Sequence, residues 1–85
     1  MNLKRRILLA YRQVHDAAPE MPYLHARDGL PGRLGLDYET LALHVKELEQ
    51  QRFLHWKAQD LYKLSPRGIR VTADPVELDR EFPEE

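Results

Sequence analysis

Thr40, His44, Lys46 and Gln50 fall within one stretch, ETLALHVKELEQ, of an 85-residue chain. A hydroxyl, an imidazole, an ammonium and an amide spaced this way are hydrogen-bonding groups rather than a bond-breaking set. They suit the edges of bases and the oxygens of phosphates. Arg33 upstream and Lys57, Gln59 and Lys63 downstream extend the same chemistry, with Arg67 and Arg70 behind them. Leu43 stands among these polar residues and fits either a thymine methyl or the apolar centre of a protein contact. Glu39 and Glu47 oppose a polyanion, because a carboxylate near phosphate is repelled.

Other chemistries find less support. The hydroxyls of Ser65, Thr40 and Thr72 have no nearby histidine and carboxylate in an arrangement that activates a nucleophile, so no catalytic residue is assigned and no enzyme is expected. The histidines at 15, 25, 44 and 55 form no i, i+4 pair, and no cysteine is present to complete a tetrahedral site. Neither a metal nor a cofactor is expected.

Those residues need elements to hold them. A helix from Asn2 to about Ala18 is predicted, with Leu3, Ile7, Ala10, Tyr11 and Val14 as its inward stripe. Leu8 and Leu9 widen the stripe toward either the chain's own domain or a partner protomer. Pro19 to Gly35 is irregular, with a short second helix expected near 24–27 or 30–34. A third helix starts at the N-cap Asp37 and ends near Gln51, burying Leu41, Val45 and Leu48. Arg52 occupies the place where a helix commonly ends in a left-handed residue, usually glycine.

A hairpin follows, pairing about 53–57 with 60–64 across Lys57-Ala58-Gln59-Asp60. Trp56 is expected to close this sheet over the first helix. Ser65 then caps a further turn with Pro66 in its first position. A short extra strand before the third helix would complete a small sheet.

Composition bounds the partners. Hydrophobic residues make up 42% of the chain and charged residues 32%, which is the balance of a soluble globular domain. Ile7 to Tyr11 falls far below the roughly 20 apolar residues of a membrane span, so no membrane is expected and a cytoplasmic setting is. The net charge of -1 hides an asymmetry. From Asp74 onward six carboxylates face Arg80 alone, a net -5, and the preceding 73 residues carry twelve cations against eight carboxylates, a net +4. The chain therefore divides into a mildly basic domain, 1–73, and an acidic tail, 74–85. In that tail Asp74 and Pro75 can open a helix, and Val76, Leu78 and Phe82 would pack on the domain or on a second subunit.

Two phrases, LGLDYETLALHVKELEQQRFL and LYKLSPRG, resemble the winged helix-turn-helix superfamily, and in particular small bacterial domains of the MarR, PadR and YjcQ-like groups. The resemblance covers Leu34 to Arg70. It implies an α+β fold, with a three-helix core and a small antiparallel hairpin wing. It also implies double-stranded DNA binding by the third helix and the wing, often as a homodimer with transcriptional output. Arg33, Thr40, His44, Lys46, Gln50, Lys57, Gln59 and Lys63 are the expected DNA contacts. The alternative is a protein-binding module on the same fold, using Leu43, Val76, Leu78 and Phe82.

Overall fold

A computed structural model describes residues 2–84. Met1 and Glu85, the outermost positions of the expected domain and tail, lie outside them. Eight elements follow in order: α1 (Leu3–Ala17), β1 (Leu24–His25), α2 (Leu30–Leu34), α3 (Tyr38–Gln50), β2 (Leu54–Ala58), β3 (Leu61–Leu64), α4 (Pro66–Ala73) and α5 (Pro75–Glu81). The three strands form one antiparallel sheet in the order β1-β3-β2. The class is α+β, with the helices packed around one end of a small sheet.

Side-chain caps set most helix starts. Asn2 accepts from the Arg5 N–H, Asp37 from Thr40, Ser65 from Gly68, and Asp74 from Val76 and Glu77. Each satisfies an N–H group that a helix start leaves unpaired. Two helix ends need a left-handed residue. Gly35 supplies one after α2 at φ +68°, and Arg52 supplies the other after α3 at φ +69°. The Arg52 N–H donates to Glu49 O at 3.0 Å and the Phe53 N–H to Leu48 O at 2.9 Å, the paired bonds of a Schellman ending. The sequence therefore places a side chain where glycine would fit without strain.

α1 is the central element, touching α2, α3, α4 and β3. Its Ile7, Leu8 and Tyr11 are fully buried, with Leu41, Val45 and Leu48 of α3, Leu54 of β2, Leu64 of β3 and Val71 of α4. Leu9 packs against the same core but is half-buried, so of the two leucines that widen the stripe Leu8 is covered by the chain's own domain and Leu9 only in part. The Tyr11 hydroxyl donates to Leu24 O at 3.0 Å and ties α1 to β1. Burial, with Tyr62, Asp60 and Tyr38 nearby, pushes that phenol well above its usual range and keeps it a donor. α4 lies flush on the hairpin because Gly68 has no side chain, and a Cβ there would sit 2.2 Å from Phe53 O.

The packing answers one open alternative and corrects one expectation. The acidic segment from Asp74 forms the expected helix and packs on its own domain. α5 folds back on α4, Leu78 and Phe82 enter the core, and the Phe82 ring meets Phe53 edge to face at 5.0 Å. The Arg5 guanidinium holds the segment by donating to Asp79 at 2.7 Å and to Phe82 O at 3.1 Å. Trp56, expected beneath the sheet, is instead 50% exposed. Its Nε1 donates to Gln59 O at 2.7 Å, which draws the ring toward the turn and away from α1.

Candidate nucleic-acid interface

β2 and β3 pair Leu54 with Leu64, His55 with Lys63, and Trp56 with Tyr62. Successive side chains of a strand alternate between faces, so Leu54 and Leu64 lie over the core and His55 and Lys63 on the opposite face. The register then slips to Ala58 opposite Leu61, leaving Lys57 as the extra residue of a bulge. The loop between the strands is only Gln59-Asp60, tighter than the four residues expected. Gln59 takes φ +45°, the left-handed backbone value by which so short a hairpin loop turns.

β1 determines what the outer face presents. Leu24 pairs with Tyr62, which puts Tyr23 beside Lys63 at the sheet edge. The ammonium groups of Lys57 and Lys63 lie 5.5 and 5.4 Å from the Tyr23 ring centroid. One aromatic ring thus gathers both lysines through its π face. Tyr23 was missed by sequence reasoning, since nothing in the chain demanded the β1–β3 pairing that brings it there.

On the opposite side of the hairpin, Lys46 and Glu49 of α3 face Trp56, Gln59 and Tyr62 across a cavity of about 310 Å³. Burial, with Tyr38, Glu49 and Asp60 adding to it, raises the Tyr62 phenol above its ordinary value, so it stays a neutral donor and acceptor in this wall. Lys46, an expected contact of the third helix, and Gln59, an expected contact of the wing, both line this cavity.

The remaining expected contacts are dispersed. Thr40 is engaged in the cap of α3, its hydroxyl donating to Asp37 at 2.6 Å, and that bond, with the Thr40 N–H, holds the Asp37 carboxyl below its usual value. His44 is half-buried, with Nδ1 3.9 Å from Glu47 and without a hydrogen-bond partner on that nitrogen among the described residues. Gln50 and Arg33 are exposed and share no cavity with Lys46. Leu43 is 63% exposed and Val76 is 71% exposed. Leu78 and Phe82, placed in the protein-facing set by sequence, belong to the core instead.

Of the two carboxylates that argued against a polyanion, Glu39 is exposed and Glu47 is engaged within the fold. Glu47 forms an ion pair with Lys4 at 2.9 Å. Asp60 accepts from the Arg27 N–H at 3.0 Å and lies 3.3 Å from His25 Nδ1. Burial works to raise the Asp60 pKa, but the bonds from Arg27 and His25 outweigh it and hold the carboxyl below its ordinary value.

Most cations of α1 are paired, whereas Arg27, Arg33, Arg80 and those between residues 46 and 70 make no ion pair among the described residues. On α1, Lys4, Arg5 and Arg12 are paired with Glu47, with Asp79 and Glu84, and with Asp16. Between residues 46 and 70, the side chains of Lys46, Arg52, Lys57, Lys63, Arg67 and Arg70 make no ion pair among the described residues. No group of three or more His, Cys, Asp or Glu side chains that could hold a metal occurs among the described residues, and no described helix is long and apolar enough to cross a membrane. Compared with family models, curated proteins and solved structures, the chain matches none.

Proposed function

We propose that this chain is a winged helix-turn-helix domain that binds double-stranded DNA and regulates transcription, with α3 directed at the major groove and the β2–β3 hairpin as the wing. The observation that carries the reading is the run of six cations without an ion pair among the described residues between positions 46 and 70, on α3, the hairpin, α4 and the turn at Arg52, while Lys4, Arg5 and Arg12 of α1 are paired within the fold. Salt-bridged cations have little to offer a phosphate, and unpaired ones release counterions when they meet it. Lys57 and Lys63, gathered over Tyr23, serve the backbone beside the wing. Lys46 and Gln59 reach the groove side. The two-fold symmetry of duplex half-sites suits a homodimer.

The test is duplex affinity as a function of salt. Each phosphate contact contributes a slope of about 0.9 in log affinity against log salt, so Lys57→Ala with Lys63→Ala should flatten the dependence by roughly two. Affinity indifferent to salt, or a slope the double variant leaves unchanged, would overturn the reading. Protein recognition by the same helix would then rest on exposed Leu43.

A further inference from the structure

A second cavity, of about 430 Å³, opens where the end of α3, the start of β2 and the first turn of α4 converge. Arg52, Arg67 and Arg70 all line it, with His55 beside them and Leu54 and Pro66 as apolar walls. Guanidinium groups repel one another, and none of these three has a carboxylate partner among the described residues. Glu49 also lines the cavity but is not within ion-pair distance of any of them.

The three arginines are held differently. Arg67 is fixed, with one Nη donating to Gln51 O at 2.8 Å and the guanidinium stacked 4.2 Å from the Phe53 ring centroid. The rest of its planar fork remains available. The side chains of Arg52 and Arg70 have no hydrogen-bond partner among the described residues, and Arg52 occupies a left-handed position that would suit glycine better. A cation kept at a strained position without an internal partner is best explained by an external one.

We propose that this cavity binds the phosphate group of a small phosphomonoester. Three guanidinium groups against Glu49 leave a net charge of +2, which matches a phosphomonoester carrying about -1.5 to -2 at neutral pH. A carboxylate or a phosphodiester, with a single charge, would leave the cavity positive. Planar forks also pair two N–H groups with two phosphate oxygens, a fit that lysine lacks. A duplex cannot enter a cavity of this size, although one of its phosphates could lean into the mouth. The site shares only Glu49 with the cavity between α3 and the hairpin, but its three arginines also belong to the unpaired cations of the DNA reading, so the two anions of the test below separate a monoester site from a diester backbone contact.

The experiment is an amide-resolved NMR titration of the full chain, without DNA, using inorganic phosphate and dimethyl phosphate at constant ionic strength. Inorganic phosphate should give saturable shifts confined to Arg52, His55 and residues 65–70. Dimethyl phosphate should bind about tenfold more weakly, the weight of one charge-assisted hydrogen bond. Arg52→Gly and Arg70→Gln should each weaken phosphate by a similar factor, Glu49→Gln should tighten it, and Arg80→Gln on α5 should leave it unchanged. Arg52→Gly relieves the backbone rather than straining it, so its loss of binding cannot be ascribed to unfolding. Shifts that never saturate or that spread over every basic residue would overturn the proposal. Equal affinity for the two anions would also overturn it, assigning the arginines to diester backbones instead.

Discussion

Replacing Arg52 by glycine should raise the stability of the fold even though it removes a side chain. At φ +69° the Arg52 Cβ crowds the following carbonyl, at a cost of about 1–2 kcal/mol for an L-residue. Glycine escapes that cost but gives up about 0.5–1 kcal/mol more chain entropy on folding. A cation at the end of α3 also interacts favourably with the helix dipole, and losing it removes about 0.3 kcal/mol at an exposed position. The backbone bonds from residues 52 and 53 to Glu49 O and Leu48 O are unaffected by the substitution. The balance is a gain of about 0.5 kcal/mol, or a rise of roughly 2–4 °C in Tm for a domain of this size. Urea and thermal unfolding followed by circular dichroism would measure it, with Arg52→Ala as the control that removes the guanidinium and keeps the Cβ. A Tm lowered by glycine would refute the reasoning. So would an alanine variant stabilised as much as the glycine one, because the gain would then come from lost charge and not from relaxed backbone.

The other expectations concern the acidic segment and the hairpin turn. Phe82→Ala should cost about 3 kcal/mol in urea unfolding, since it removes a buried ring that packs on Phe53, and a loss under about 1 kcal/mol would show that α5 is only loosely attached. Asp60→Asn should destabilise the fold at neutral pH by weakening charge-assisted bonds from Arg27 and His25. Because the folded carboxyl titrates below its unfolded value, this contribution is complete above about pH 4 and disappears as the pH falls through the lower folded value. The gap between wild type and variant should therefore close in acid, and a gap that stays constant would show that the charge is irrelevant.

Local signals in the sequence were enough for the elements, because caps and periodicity act over a few residues. Asn2, Asp37, Ser65 and Asp74 all start helices where their side chains can reach the orphan N–H groups. Leu41, Val45 and Leu48 face inward, as a 3.6-residue period requires. Features that depend on distant partners were not legible. Trp56 carries a core-forming side chain, but the surface opposite it is Lys46 and Glu49, which no local pattern could reveal. Glu47 reads as a repellent charge on the outer face of α3 until the fold brings Lys4 of α1 against it. Leu78 and Phe82 were open to either a partner or the domain, and the choice turns on the distant Phe53 ring against which Phe82 packs. The bulge at Lys57 and the lysine pair over Tyr23 likewise require the strand register to be known.

The contacts that hold α5 have a bearing on the order of assembly. The Asn2 amide donates to Pro83 O and the Arg5 guanidinium reaches Asp79 and Glu84, so the first turn of α1 is completed by residues more than seventy positions away. Contacts so far apart in the chain are the slowest to form, because the intervening loop must be closed before they contribute anything. α1 is thus synthesised before the other described elements and is the last of them to acquire its full surroundings. Until residues 78 to 82 arrive, Phe53 lacks its partner ring, and the nascent chain carries an apolar edge that Leu78 and Phe82 will cover.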